Sequence, residues 1–157
     1  MVRDEGIPPC MIYIDKDGRW YYEGAEIIRR EIVLHFYRHM ELNSRGRIII
    51  NWKGQRCYVD VEDTPFVVQR TARVVEEGWR QPRYVIYLND GTMEELAPES
   101  LRVGKDNVLY CRVKKGRFPA RFSRPAYYQI CEFIEEQEGA FFLPFKGKKH
   151  EIRIKDA

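Results

Sequence analysis

Three titratable side chains, spaced four residues apart, are the first candidates for chemistry. Glu31, His35 and His39 would lie on one stripe of a helix, because positions four apart share a helical face. Imidazole and carboxylate groups at this spacing can bind a metal ion. The stripe offers no further strong ligand of the usual zinc types, so histidines that pack or face solvent are the better interpretation. We therefore predict neither a metal site nor a cofactor.

The second candidate is a run of cations with interleaved aromatic residues and no acidic residue. Cations beside aromatic rings can hold single-stranded nucleic acid. On a strand, however, Phe118 and Phe122 would face one side and Arg117 and Arg121 the other, which favours a charged strand edge that prevents aggregation. Nucleic acid is therefore not the expected partner. The run is called the basic strand below and consists of Lys114, Lys115, Arg117, Arg121 and Arg124.

Arg29 is the third candidate because of its place in a helical pattern. Between Glu26 and Met40 the apolar residues recur at helical spacing, and Arg29 would project beside Phe36, inside their apolar arc. A buried cation without a partner is too costly, so a charge here must be paired.

Motifs of the common enzyme classes are absent from the sequence. It contains no P-loop, no G-x-G-x-x-G and no H-E-x-x-H, and no Ser or Cys nucleophile stands beside a His in a recognisable motif. These observations leave catalysis open and favour a protein that is not an enzyme.

The composition is that of a folded globular protein. The chain has 157 residues, of which 44% are hydrophobic and 32% charged, enough for one domain or two small ones. The formal net charge is +3, and the excess lies in residues 105–157, which carry 12 basic and 7 acidic side chains. No apolar run approaches the ~20 residues that span a bilayer, and no signal-peptide pattern begins the chain. We expect a cytoplasmic protein that does not bind membranes.

The four cysteines form no C-x-x-C pair. Their spacing matches no zinc pattern, and in a reducing cytoplasm Cys10, Cys57, Cys111 and Cys131 are expected to be free thiols. Cys111 and Cys131 fall in apolar patterns and are interpreted as small buried hydrophobic residues.

A repeat is the strongest organisational signal in the sequence. Residues 11–20 match residues 109–118, with a helical stretch after each (Glu26–Met40 and Pro125–Gln137), and Trp52-Lys53-Gly54 then matches Phe145-Lys146-Gly147. We predict an α+β fold of two repeated β-hairpin–helix–β-hairpin units, joined by a central antiparallel strand pair. The predicted divisions are 1–66 for the first unit, 67–104 for the strand pair and its connection, and 105–157 for the second unit.

Several segments together resemble a known family. Gly18-Arg-Trp-Tyr-Tyr-Glu-Gly24, Ile27-x-Arg29, Val61-Glu-Asp-Thr-Pro-Phe66 and Arg124-Pro-Ala-Tyr-Tyr128 occur in this order over nearly the whole chain. In this the sequence resembles a family of uncharacterised bacterial proteins, domain of unknown function 1285 (DUF1285). The resemblance implies a two-part α+β fold of repeated motifs and a suggested role in signalling without a known ligand or activity. The chain departs from the family in its compact middle segment and short C-terminal tail.

The same family pattern adds partners for Arg29. It brings Glu62 and Asp63 to the end of a strand that closes the first repeat, where a guanidinium can bind a carboxylate with two hydrogen bonds. A structural ion pair is the favoured interpretation, and a site for a small anionic ligand or a partner is the alternative. Trp20 and Tyr22 complete this candidate set.

The expected function is that of a non-catalytic binding or regulatory module, with a groove between the halves. The partner would be an unknown protein or a small ligand, and the oligomeric state is not predicted. The alternatives are a small enzyme or anion sensor that uses Arg29, Glu62 and Asp63, and a weak nucleic-acid binder that uses the basic strand.

Overall fold

Short apolar strands separated by glycine turns form most of the chain, and two helices interrupt them. The computed structural model describes residues 6–75 and 82–154. By their internal contacts the residues group into two units, Met1–Pro65 and Phe66–Ala157. The strands and helices confirm the α+β class.

The first unit contains one six-stranded sheet in the order β3-β2-β1-β6-β5-β4. Strand β1 is antiparallel to β2 and parallel to β6. The apolar sides of β1, β5 and β6 supply most of the buried residues. The elements are β1 (Pro9–Ile14), β2 (Trp20–Tyr22), β3 (Ala25–Glu26), α1 (Arg30–Arg38), β4 (Met40–Leu42), β5 (Ile48–Trp52) and β6 (Gln55–Val61).

The second unit contains a seven-stranded sheet in the order β16-β10-β11-β12-β7-β8-β9 and a separate three-stranded sheet in the order β13-β14-β15. Short 3-10 turns at Pro98–Ser100 and Lys105–Asn107 flank β10. The elements are β7 (Phe66–Val74), β8 (Arg83–Leu88), β9 (Met93–Glu95), β10 (Arg102–Val103), β11 (Leu109–Val113), β12 (Phe118–Phe122), α2 (Arg124–Cys131), β13 (Glu135–Gln137), β14 (Ala140–Phe145), β15 (Lys148–Glu151) and β16 (Arg153–Ile154).

Strand β12 shows how alternation builds the core of the second unit. Phe118, Ala120 and Phe122 are buried, while Pro119 and Arg121 between them are half-buried. The predicted division of this strand into an apolar and a basic side is confirmed. Alternation of apolar residues over Phe66–Glu76 and Arg83–Leu88 marks the two strands of the predicted central pair. They are observed as the antiparallel strands β7 and β8, although Glu76 lies outside the described residues.

Both helices are shorter than the sequence periodicity predicts. The first was expected over Glu26–Met40, but the Ile27 N–H donates to the Trp20 carbonyl at 2.8 Å, which holds this segment against the sheet. The second was expected over Pro125–Gln137. It begins after Ser123, whose hydroxyl accepts a hydrogen bond from Ala126, and it ends at Cys131, because Glu135–Gln137 pair with β14 as a strand.

The sheet pairings of the two units differ. In the first unit the hairpin of β5 and β6 lies in the same sheet as β1 and β2. In the second unit the matching hairpin of β14 and β15 lies in the separate three-stranded sheet. The strand pairing therefore does not confirm a repeated unit.

The expectation of four free thiols is wrong for two of them. Cys10 and Cys57 form a disulfide, with their Cα atoms 4.9 Å apart. Parallel pairing of β1 with β6 sets Pro9 opposite Tyr58, which brings the two cysteines side by side. Cys111 is free and buried, as predicted, and its burial raises the pKa of its thiol; Cys131 is free and half-buried.

Candidate functional site: a groove with aromatic walls in the second unit

Arg29 is not the buried cation that the helical pattern predicts. Its side chain is 75% exposed, and its Nη2 lies 2.6 Å from Oε1 of Glu31. Helix α1 begins at Arg30, so Arg29 occupies the extended N-cap position and the apolar arc does not surround it. Hydrogen bonds from its own backbone and from Arg29 hold the pKa of Glu31 below its usual value. The expected pairing of Arg29 with Glu62 and Asp63 is therefore wrong.

Glu62 supports a turn instead. Its carboxylate accepts a hydrogen bond from the Lys16 backbone N–H at 2.8 Å, in the loop between β1 and β2. Asp15 in the same loop accepts the N–H groups of Asp17 and Arg19, both at 2.9 Å. Burial, with Glu62 close by, raises the pKa of Tyr13. Asp63 follows β6 and is exposed. These acids do not converge with Arg29 on one site.

Trp20 belongs to the core of the first unit. It is 1% exposed, and its indole stacks on Phe36 at 5.9 Å and meets the edge of Tyr37 at 4.8 Å. The Tyr37 hydroxyl donates to the Pro65 carbonyl at 2.7 Å. The Trp20 Nε1 has no acceptor among the described residues. Tyr22, two residues along β2, is half exposed and accessible to a partner.

Lys114, the first residue of the basic strand, forms an ion pair. Lys114 Nζ lies 2.7 Å from the Asp90 carboxylate and donates to the Thr92 hydroxyl at 2.9 Å. The Asp90 side chain is only 8% exposed. Burial alone would raise the pKa of Asp90, but hydrogen bonds from Lys114 and Thr92 outweigh burial and lower it. The Lys114 ammonium thus joins two hairpin turns.

The other four cations of the basic strand have different surroundings. Arg117 lies over the Phe118 ring at 5.3 Å, and the Arg124 guanidinium donates to the Tyr128 hydroxyl at 3.5 Å. Arg121 is half-buried, and Lys115 is exposed in the turn. The five cations do not form one continuous exposed stripe.

The two histidines of α1 contact a tryptophan. The rings of His35 and His39 lie 4.7 Å apart, and each meets the Trp52 indole at an angle of 70°. Within residues 6–75 and 82–154 no cluster of three or more His, Cys, Asp or Glu side chains could hold a metal ion. The histidines pack on an aromatic ring, which was the favoured interpretation.

A concave site that was not predicted lies within the second unit. It is a groove of about 630 Å³, a volume within the range of small-molecule sites. Tyr84 of β8 forms its floor, and the rings of Phe133 and Phe145 lie 5.8 and 6.2 Å from that of Tyr84. A cavity in the first unit, beside Glu41 and Arg56, measures only about 200 Å³.

Three elements position the groove walls. The Phe133 N–H donates to the Ile130 carbonyl at 3.0 Å, which turns the chain at the end of α2. The Tyr84 hydroxyl donates to the Pro144 carbonyl at 2.7 Å and so holds β14 against β8. Phe145 ends β14, just before the two-residue turn of Lys146 and Gly147. The groove thus depends on contacts between residues about 60 positions apart.

Cations border this groove. Arg73 lies 5.4 Å from the Phe133 ring and Lys146 Nζ lies 5.0 Å from the Phe145 ring. Lys149 is paired with Glu135 at 3.2 Å. Burial raises the pKa of the Tyr84 hydroxyl, although Arg73 opposes this, so the floor stays neutral. Lys148 and Glu132 complete the charged lining. The lining carries four cations and two carboxylates.

The sequence carries one local signal for this site. The hairpin at residues 145–150 contains three lysines close to Phe145. Tyr84 and Phe133 give no local signal, because their meeting depends on the pairing of β13 with β14.

Comparison with known proteins supports the fold. No family model and no curated protein matches the sequence. A DUF1285 family protein from Silicibacter pomeroyi DSS-3 is similar in structure, with a TM-score of 0.79, 20% identity, and coverage of 93% of this chain and 81% of that chain. One from Shewanella baltica OS155 has a TM-score of 0.63 at 16% identity, with coverage of 78% and 91%. Among the described residues no helix is long and apolar enough to cross a membrane. The resemblance expected from the motifs is therefore confirmed at the level of the fold, and the chain has a DUF1285-like fold.

Proposed function

We propose that this protein is a non-catalytic binding module whose site is the groove of the second unit. The observation that carries the proposal is the combination of two half-buried phenylalanine walls, a buried tyrosine beneath them and cations at the rim. Binding sites typically join apolar walls with a few polar groups that orient the ligand. A regulatory or signalling role, which the resemblance implies, would follow from occupancy of this groove.

Binding of a small-metabolite panel tests this proposal. We expect thermal-shift and calorimetric signals from at least one compound class, and loss of those signals in the groove variant Phe133→Ala. Lys115→Ala is the matched control, since Lys115 is exposed in a turn that does not line the groove. Steady turnover of a bound compound by the pure protein would contradict the non-catalytic part. Binding that Phe133→Ala leaves unchanged would contradict the groove as its site.

The cytoplasmic location is a second part of the proposal, and the disulfide makes it testable. Disulfides persist mainly in oxidising compartments, whereas cytosolic thiols are kept reduced. Alkylation of the protein in intact cells, followed by mass spectrometry, reports the state of Cys10 and Cys57. Free thiols at both positions in the cell would support a cytoplasmic location, and a stable bond would contradict it.

We also propose that the two units descend from related hairpin–helix–hairpin segments. The support is local: Trp52-Lys53-Gly54 and Phe145-Lys146-Gly147 form two-residue turns with the same backbone signs, and each lysine lies over the preceding aromatic ring, at 5.1 and 5.0 Å. A superposition of crystal structures of the two units, matching these turns and the helices together, tests the relation. Helices that cannot be superposed with the turns would contradict it.

A further inference from the structure

We propose that the groove of the second unit binds a small molecule in which an aromatic ring carries a phosphate or carboxylate group. This inference rests on the proposed binding function and specifies the chemical class of the ligand. The two halves of the class, ring and anion, are each matched by a different part of the groove.

The aromatic half is matched by the walls. Phe133 and Phe145 are half-buried, so each keeps part of its ring surface open to a ligand. Tyr84 is only 2% exposed and its hydroxyl donates to the Pro144 carbonyl, so the floor offers no free donor and the two phenylalanines supply the ring surface. Aromatic rings pack on one another in offset or edge-to-face geometry with centroids about 4.5–7 Å apart. A planar ring fits such walls better than a flexible polar chain.

The anionic half is matched by the rim. Arg73 and Lys146 lie over the two wall rings, and neither they nor Lys148 pair with a carboxylate among the described residues. Lys149 is neutralised by Glu135, which leaves Glu132 as the carboxylate opposing these three cations. A ligand ring bound against Phe133 or Phe145 would therefore place an attached anionic group close to Arg73 or Lys146. Guanidinium and ammonium groups both bind phosphate and carboxylate through charge-assisted hydrogen bonds.

The size of the groove favours a small molecule over a nucleic acid. Nucleic-acid binding requires a field of cations that extends along the strand. The basic strand of the same unit does not supply it, because Lys114 is paired with Asp90. The cations at the groove rim surround one cavity of about 630 Å³, a size that suits a small molecule.

Calorimetric titration with matched probes tests the class. The probes are AMP (ring with phosphate), indole-3-acetate (ring with carboxylate), adenosine (ring alone) and ribose 5-phosphate (phosphate alone). We expect AMP, indole-3-acetate or both to bind at least tenfold more tightly than adenosine and ribose 5-phosphate. A preference for one of the two identifies the anionic group, and its affinity should fall as salt is raised.

Variants locate the binding. Lys146→Gln and Phe145→Leu should each weaken binding of the preferred probe at least fivefold. Lys53→Gln is the matched control, because Lys53 occupies the same turn position over Trp52 in the first unit and should leave binding unchanged. Urea midpoints of all three variants, close to that of the parent protein, exclude misfolding as the cause.

The contrary outcomes separate the two proposals. Adenosine binding as tightly as AMP would overturn the anionic half, and ribose 5-phosphate binding as tightly as AMP would overturn the aromatic half. No probe binding while the metabolite panel gives Phe133-dependent signals would overturn the ligand class and leave the binding module standing. No binding in either experiment would overturn both.

Discussion

Two lysine-containing regions of the second unit look alike in the sequence and differ in the structure. In the basic strand, Lys114 lies against a carboxylate that is 8% exposed and joins two turns. In the turn after β14, Lys146 is exposed beside an aromatic groove. The difference shows that the number of cations in a segment does not give the charge available to a ligand. The position of nearby carboxylates decides that.

The largest expected effect is a difference in the free energy of unfolding between variants of Lys114 and Lys146. Lys114→Met should lower the free energy of unfolding by about 2 kcal/mol, below the roughly 3–5 of a fully buried pair, because Lys114 keeps some exposure. The Lys114→Met substitution leaves the Asp90 carboxylate buried without the ammonium group that pairs with it. Lys146→Met should change stability by less than about 0.5 kcal/mol, as is usual on a surface. Urea unfolding measures both, and equal midpoints for the two variants would show that the Asp90 contact contributes nothing.

The second prediction concerns the turns, where the two regions should respond alike. Gly116 has a φ of 77° and Gly147 a φ of 74°, and neither would meet another atom within 4 Å if a Cβ were added. Alanine at either position is therefore costly only through its left-handed backbone, by about 1–2 kcal/mol. Thermal unfolding of Gly116→Ala and Gly147→Ala should show similar losses. A much larger loss at one turn would reveal a constraint specific to it.

The third prediction uses pH to isolate the ion pair. The pKa of Asp90 is lowered in the folded protein, so the pair contributes stability above the unfolded value of about 3.9 and loses it as pH falls through the folded pKa. The stability difference between the parent protein and Asp90→Asn should therefore be largest near neutral pH and shrink below about pH 4. Lys146→Met should keep the acid dependence of the parent. Urea unfolding across this pH range checks it, and a difference that is constant with pH would contradict the assignment.

The smallest expected effect is a gain. Lys146 adopts a φ of 52°, a left-handed conformation that asparagine tolerates better than lysine. Asparagine followed by glycine is also the preferred sequence for a two-residue hairpin turn with both φ values positive. Lys146→Asn should stabilise the protein by about 0.5 kcal/mol while weakening binding of a ring-bearing anion. Calorimetric unfolding and titration measure the two effects, and the equivalent change Lys53→Asn should give only the first.

Local patterns predict the strands well and the helix ends poorly. The alternation of Phe118, Ala120 and Phe122 records burial on one side of a sheet, so it can be recognised without knowledge of the neighbouring strands. The predicted helical stretches include Ile27 and Ile134, yet the first residue lies at a sheet edge and the second precedes β13. Pairing with distant strands overrides the helical pattern at both places.

Features that join distant residues could not be predicted from a single sequence. Cys10 meets Cys57 only because β1 runs beside β6, and Tyr84 meets Phe145 only through the separate sheet of β14. Arg29 shows the opposite failure. Arg29 precedes helix α1, so the helical pattern does not determine where its side chain projects, and the predicted burial and partners are wrong.

The disulfide has a consequence for the unfolded chain of the first unit. It joins residues 47 positions apart and so encloses α1 and strands β2 to β5 in a covalent ring. A ring of this length lowers the conformational entropy of the unfolded chain, which stabilises the folded unit by about 4 kcal/mol at 25 °C in the chain-entropy treatment. The free cysteines of the second unit, Cys111 and Cys131, impose no such limit. With this disulfide intact, the first unit refolds from an ensemble in which Cys10 and Cys57 are already neighbours, whereas the second must bring Tyr84 to Phe145 by free diffusion of the chain.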